Sequence, residues 1–325
     1  MIGGPDRRGS RATRLLLALA VLFAIPGTFA LSAAGAAAQF EEEERRRTIR
    51  TVERLAAGPK ASNGLRAVLM YHEGSRLDQD GLSRWLASFS EVCGIVVIRE
   101  RRQARRARIR RELRRVGLPR FFDVAAMRLF YRAFIARRDR RVEDDALEQL
   151  HKRYPDLRRE PPTLITEDPN SAAVADFIRE RAPDFTLARC KTLLRQEVFD
   201  APRLGTFVMH PGICPEYRNS HGCFWALAND DYDHVGMSLV RIDEGIDTGP
   251  VYGYYSYPYD AKHESHILIQ QRVILENLDA IRDRLLDVAA GKATPLDTTG
   301  RPSATWGQPW LTKYVRIRWK ARRRA

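Results

Sequence analysis

The run Arg203-Leu-Gly-Thr-Phe-Val-Met-His-Pro-Gly-Ile-Cys-Pro-Glu-Tyr-Arg-Asn-Ser-His-Gly222, with its sequel Val240-Arg-Ile-Asp-Glu-Gly-Ile-Asp-Thr-Gly-Pro-Val251, decides how this chain is read. Thr206–Met209 is β-branched and aromatic and halts at a histidine, a proline and a glycine, the pattern of a short buried strand. His210 therefore falls at a strand's carboxyl end, where open α/β sheets place their ligands. A second strand, Met237–Ile242, runs into a glycine-bearing acidic turn that carries Asp243, Glu244 and Asp247. Two adjacent strand ends thus deliver an imidazole and a carboxylate, the two halves of an acid–base pair.

His210, Pro215, Tyr217, Arg218, Gly236 and the turn Asp243-Glu-Gly-Ile-Asp-Thr-Gly249 together resemble the signature of the folate-dependent formyltransferases, the family of glycinamide ribonucleotide, methionyl-tRNA and sugar-amine formyltransferases. The preceding segment, Pro183-Asp-Phe185 through Glu197-Val-Phe199 to Pro202-Arg-Leu-Gly205, resembles it too, and the likeness extends from about Leu65 to Val288. The resemblance implies an α/β, Rossmann-like fold with a mostly parallel sheet flanked by helices. It implies transfer of a formyl group from 10-formyltetrahydrofolate to the amine of a small-molecule or phosphorylated acceptor, in the cytoplasm and without a metal. It assigns catalysis to His210 and Asp247; Tyr217, Arg218, Asn219, His221 and Gly236 are the candidate substrate- or cofactor-binding residues beside them.

The family motif is Asn-x-His, and here the position two before His210 is Val208. Gly212 and Cys214 stand where the family usually has serine and leucine, and Asn219 where it has glycine. Formyl transfer needs an amine to attack a formamide carbon, so negative charge grows on the oxygen and the nitrogen must shed a proton. A protonated His210 suits the first need, and Asp247 can hold the imidazole charged and relay the amine's proton. The missing asparagine would be a second donor to the oxygen. Valine donates nothing, and Asn219, Ser220 and His221, in the loop after Arg218, are the available replacements.

Across 325 residues, 44% hydrophobic content supports one good core with appendages rather than a disordered chain. The formal net charge of +14 is concentrated in Arg99–Arg115, Arg137–Arg141 and the tail from Lys320. That balance favours anionic partners, whether phosphorylated substrate, acidic membrane surface or nucleic acid; an arginine-rich proteome accounts for it equally well. Cys93, Cys190, Cys214 and Cys223 show no Cys-x-x-Cys spacing, so neither a zinc knuckle nor a disulfide framework is indicated. Residues 1–38 begin basic, turn apolar and end in small residues, the layout of an export signal or a single membrane anchor. A start codon placed too early fits as well, and the resemblance to cytosolic folate enzymes favours a cytoplasmic, membrane-associated protein over an exported one.

Residues 39–64 read as a charged linker and residues 65–290 as the catalytic domain. Within it Ala67–Met70, a helix at Leu82–Phe89 and Val92–Ile98 form an opening strand–helix–strand unit. The helical insertion 99–141 follows; its first half has no core-facing stripe. Its second half, from Phe121 to Ile135, is apolar enough to pack on the body or on a membrane. Further strands are expected at Pro161–Thr166, Phe185–Ala188 and Val251–Tyr257, the last an exposed aromatic edge. Helices are expected at Ala172–Arg181 and, unbroken, His263–Ala290. Residues 291–325 form a tail that wraps over the domain. His263-x-x-His266 lies at helix spacing with no third ligand apparent, so it reads as helix-start polarity; His234 reads as a surface residue. Two other classes of function stay open: a hydrolase or acyltransferase using His210 and Asp247 on the same scaffold, and a catalytically silent, membrane-associated binding protein.

Overall fold

Ala67, Leu69 and Tyr71 alternate with Val68 and Met70 along β1 (Arg66–His72), and both sets are buried. A strand apolar on both faces belongs at the centre of a sheet covered on both sides. The structure, a computed structural model that describes residues 64–100 and 102–323, puts it there. β1 lies between β2 (Glu91–Ile98) and β4 (Phe185–Arg189) and is parallel to both. β3 (Thr163–Thr166) extends the sheet beyond β2, and β5 (Thr206–His210) extends it beyond β4, again in parallel. After a short β6 (Arg218–Asn219), β7 (Met237–Arg241) and β8 (Val251–Tyr255) add antiparallel strands, giving the order β3-β2-β1-β4-β5-β7-β8. The α/β, Rossmann-like architecture and mostly parallel sheet expected from the sequence are what the chain adopts. The signal-like segment 1–38 and residues 39–63 of the linker lie outside the described residues.

Helices cover both faces. After one π-helical turn, Leu77–Leu82, comes α1 (Ser83–Ala87); its Trp85 packs with Leu69, Phe185 and Phe207 and donates its indole N–H to the Leu278 carbonyl at 3.1 Å. Two long helices, α2 (Arg102–Phe130) and α3 (Ala136–Arg153), separate β2 from β3. The opposite face is closed by α4 (Ala172–Arg181) and α5 (Gln196–Phe199), whose Val174, Ile178, Val198 and Phe199 meet Val68, Met70, Val96 and Ala188. Period-two alternation in each strand thus sorts its side chains into two cores.

Four stretches differ from the sequence expectation. The insertion does not end at Arg141: α2 breaks at Gly117, with φ 75°, and the helical run continues to Arg153 because Leu147 and Leu150 pack down beside Gly81. Its second half is two-faced, with Val124, Met127 and Ile135 buried but Leu118, Phe122 and Leu129 exposed. The helix expected over His263–Ala290 is two, α7 (His266–Leu275) and α8 (Leu278–Ala289). Asn277 divides them, its side-chain amide donating to the Ser256 and Val273 carbonyls. The aromatic strand β8 is the sheet's edge, yet Tyr252 and Tyr257 are buried, the latter donating to Glu264 at 2.5 Å. Between β6 and β7 sits α6 (Gly222–Ala228), and the chain closes with β9 (Thr305–Trp306), paired with β6, and α9 (Leu311–Arg323).

Candidate functional site

β5 sends Thr206, Val208 and His210 to one side of the sheet, and His210 closes the strand with 3% of its surface exposed. Its Nε2 stands 2.8 Å from the Tyr217 carbonyl oxygen and its Nδ1 3.3 Å from Asp247 Oδ2. Both partners are acceptors, so only a ring carrying two protons donates to both. Asp247 sits on the turn after β7 in the left-handed region, φ 50°. Its Oδ2 also accepts the backbone N–H of Asn219 at 2.8 Å.

The turn that presents Asp247 is stitched internally. Asp243 Oδ1 accepts from the Gly245 N–H at 3.0 Å and the Thr248 hydroxyl at 2.7 Å. A Cβ on Gly249 would stand 1.9 Å from the Arg241 carbonyl oxygen, so only glycine allows that approach. Glycine is equally required at 212. A Cβ there would lie 2.4 Å from the Tyr217 carbonyl oxygen and 2.8 Å from His210 Nε2, and the serine usual in the family would displace one of them.

The remaining residues singled out from the sequence surround this pair without all facing it. Tyr217 reaches His210 through its carbonyl; its ring stacks on Trp306 and its hydroxyl donates to Asp231 at 2.7 Å. Arg218 Nη1 donates to the Ile246 carbonyl at 3.0 Å, while its Nε is buried with no hydrogen-bond partner among the described residues. Asn219 holds Asp247 with its backbone and commits its side-chain amide to the Trp306 carbonyl at 2.5 Å. His221 Nδ1 meets Gln270 at 3.0 Å, and its ring packs against that of His266. Burial, then the nearby cations Lys191 and Arg128, brings the His221 imidazole down to about 4. Gly236 contributes backbone clearance, since a Cβ there would meet the Tyr255 carbonyl at 2.6 Å.

The loop side chains considered as substitutes for the missing asparagine are therefore engaged elsewhere: Asn219 with Trp306, Ser220 with Asn219, His221 with Gln270. Val208 itself is flanked by Ala188 and Val240 and packs with Cys214, Val240, Val251 and Tyr254. Sequence reasoning missed Ser238, which lies opposite His210 in the β5–β7 register. Its hydroxyl donates to the Gly212 carbonyl at 2.8 Å and accepts the Cys214 N–H at 2.9 Å, pinning the loop that covers the histidine. A lone buried serine in an apolar strand was the available signal. Tyr254, read only as an edge aromatic, donates to the Cys214 carbonyl at 2.6 Å and meets Arg301 from the chain's last segment.

Other candidate chemistry is structural in form. His234 pairs with Asp231 at 2.7 Å and His263 with Asp260 at 2.8 Å. His266 is buried among Tyr131, Phe224 and Tyr314. Among the described residues no group of three or more His, Cys, Asp or Glu side chains is arranged to hold a metal. Burial pushes the Cys190 thiol up to about 11 and Cys223 up to about 12, so both stay protonated at neutral pH.

Residues 143–284 match the family model described as formyl transferase. A methionyl-tRNA formyltransferase of Bacteroides thetaiotaomicron is 28% identical over 131 residues, covering 38% of this chain and 40% of that protein. The methionyl-tRNA formyltransferase of Halorhodospira halophila is 31% identical over 125 residues, with the same two shares. The chain thus spans about 40% of the length of the curated relatives it matches. Among solved structures, a sugar N-formyltransferase from Shewanella sp FDAARGOS_354 aligns with 75% of this chain and 76% of its own, at 12% identity and a TM-score of 0.44. The family match begins in α3 and ends in α8, narrower than the span from Leu65 to Val288 expected from the motifs.

Proposed function

We propose that this chain, whose residues 143–284 match the formyl transferase family model, transfers a formyl group from 10-formyltetrahydrofolate to the amine of an acceptor molecule. The observation that carries this reading is the pair formed by His210 at the end of β5 and Asp247 on the turn between β7 and β8, 3.3 Å apart. A formyl-bearing folate suits the residues around that pair in two respects. Among the described residues the Arg218 Nε is a buried donor without a hydrogen-bond partner, and Ile246, on the same turn as Asp247, offers an exposed apolar side chain against which a flat heterocycle can rest. When bound, the folate would supply an activated one-carbon unit already at the formate oxidation level.

The chain's own groups handle the protons. Asp247, partly exposed and held by the Asn219 N–H, accepts the proton that the attacking amine sheds and would return it to the folate nitrogen as that nitrogen's bond to the formyl carbon breaks. His210, bridged between Asp247 and Tyr217, is the donor for charge growing on the formyl oxygen, and it must exchange the Tyr217 carbonyl for that oxygen to act. Val208 adds nothing to this second task. The site therefore works with one fewer donor than the family motif provides, which costs on the order of a hundred- to a thousandfold in rate.

The test is formyl transfer from 10-formyltetrahydrofolate to a panel of nucleotide, sugar and aminoacyl amines, with folate binding measured alongside. Wild-type protein should bind the folate and formylate at least one amine. His210→Ala and Asp247→Asn should each lower the rate by about a hundred- to ten-thousandfold, the range of general acid–base catalysis. Folate binding without transfer by any variant would favour a catalytically silent protein, a reading to which the apolar packing of Val208 lends weight. Hydrolysis of the donor without an amine would favour a hydrolase. Absence of folate binding sinks the proposal altogether.

A further inference from the structure

Residues 99–141 hold seventeen arginines against four carboxylates and no lysine, a net +13 out of the +14 of the whole chain. The other residues sum to +1, and within them the last segment, Lys313 to Arg324, is a second basic stretch with seven Lys and Arg and no carboxylate. The same insertion exposes apolar side chains. Leu118, Phe122 and Leu129 are 59%, 64% and 68% exposed, and their spacing of four and seven residues aligns them along one stripe of α2. They lie opposite Val124 and Met127, which face the core. Exposed arginines, among them Arg114, Arg128 and Arg132, lie along the same helical run.

The neighbouring helix repeats the pattern. α9 packs on this part of the insertion through Phe130 and Tyr314, through the Arg120 guanidinium over Trp310, and through Thr312, which donates to Asp123 from both its backbone and its hydroxyl. On α9, Val315 and Trp319 are four residues apart and half exposed, with the Arg323 guanidinium 3.6 Å above the Trp319 ring. Apolar side chains exposed beside arginines on two adjoining helices have no role in the core and none in the His210–Asp247 site.

We propose that the second half of α2, Leu118 to Leu129, together with α9, is a docking surface for an anionic lipid bilayer. The helices lie on the bilayer with the leucines and phenylalanine seated at the boundary between headgroups and acyl chains, and the arginines pair with lipid phosphates. Among the described residues no helix is long and apolar enough to cross a membrane, so the contact is peripheral. Charge decides against a second copy of the chain as occupant, because two such faces repel. The stripe decides against nucleic acid, whose phosphate surface rewards the arginines but gives Leu118, Phe122 and Leu129 nothing to bury against. The proposal does not depend on the formyl-transfer reading.

The test is flotation of the full-length protein with vesicles of phosphatidylcholine alone and of phosphatidylcholine mixed with phosphatidylglycerol, at low and high salt. The protein should bind the anionic vesicles far more tightly than the neutral ones, and salt should weaken that binding steeply. The triple variant Leu118→Ser, Phe122→Ser, Leu129→Ser should keep the wild-type melting temperature, since the three side chains are exposed. It should lose about a thousandfold in partitioning, at roughly tenfold for each of the three apolar side chains left in water. Arg128→Glu with Arg132→Glu should also weaken binding, and only to anionic vesicles. Because the apolar residues before Ala38 could bind lipid unaided, equal binding by wild type and triple variant overturns the proposal. So does absence of vesicle binding. Binding of duplex RNA that the triple variant retains in full, without vesicle binding, would assign the cationic surface to nucleic acid instead.

Discussion

Val208 is the residue on which the proposed formyl transfer turns. Its neighbours Cys214, Val240 and Val251 offer no side-chain oxygen, and the Tyr254 hydroxyl is already spent on the Cys214 carbonyl. Val208→Asn therefore has two opposed effects. It restores a donor two residues before His210, so transfer should rise by up to a hundred- to a thousandfold. It also places an amide against an apolar patch, which should cost about 1–3 kcal/mol of stability. Measuring the transfer rate and urea unfolding on the same variant separates the two. A stability loss with no gain in rate would mean that the asparagine's role has been lost from this chain for good. Gly212 belongs to the same set of departures, for it makes the room in which the Tyr217 carbonyl meets His210.

Between α6 and α7 two imidazoles meet in the interior. His221 precedes the first helix and His266 begins the second, with ring centroids 5.7 Å apart. Burial, and then the nearby cations Lys191 and Arg128, holds His221 down at about 4; burial, and then His221, holds His266 well below the ordinary histidine value. Both folded values lie below that of an unfolded histidine, about 6.5, so the unfolded chain takes up protons that the folded chain refuses. The stability they contribute is fully present above about pH 6.5 and drains away as the pH falls towards 4. The slope should approach about 1.4 kcal/mol per pH unit for each histidine. Urea midpoints measured from about pH 7.5, above the free histidine value, down to about pH 4, the folded value of His221, should fall steadily for the wild type. The profile should be flatter for His221→Gln with His266→Phe. An unchanged profile would show that the acid response comes from carboxylates.

At the scale of the whole molecule, residues 291–323 hold the site's covering loop. β9 pairs with β6, placing Trp306 beside Asn219, and Trp306 stacks on Trp225 at 4.9 Å while donating its indole N–H to the Glu216 carbonyl. Trp225 donates in turn to the Gly307 carbonyl, and Tyr314 and Ile317 of α9 are buried in the main core. A chain ending at Ala290 exposes Trp225 and releases Asn219, and with it the N–H that holds Asp247. Such a truncation should lose several kcal/mol, on the scale of deleting two or three large core side chains at about 2–5 kcal/mol each. Thermal unfolding and expression yield read this directly. A truncated protein that melts like the full chain would make the tail a dispensable appendage and 65–290 a self-sufficient domain.

The strands of the main sheet were legible from Ala67 to Tyr255 because buried strands announce themselves by runs such as Ala67-Val-Leu-Met70 and Val92–Ile98, and the turns between them by glycine and proline; the short helices α5 and α6 were not. His210 was legible as a site residue because it ends β5, whereas its pairing with Asp247 was not: β5 and β7 are antiparallel, so the end of β7 lies beside Phe207, and Asp247 meets His210 only because the turn after Arg241 brings it there. What their side chains do was not legible. The Tyr217 carbonyl on His210, the hydroxyl of Ser238 beneath the loop and the backbone N–H of Asn219 on Asp247 are contacts made by the main chain or across strands, and a one-dimensional pattern carries no trace of them. The same holds for the stripe of Leu118, Phe122 and Leu129. Their apolar character is written in the sequence, but which face of a helix meets the core is decided only when Val124 and Met127 find partners in the packed molecule and the other face is left to water.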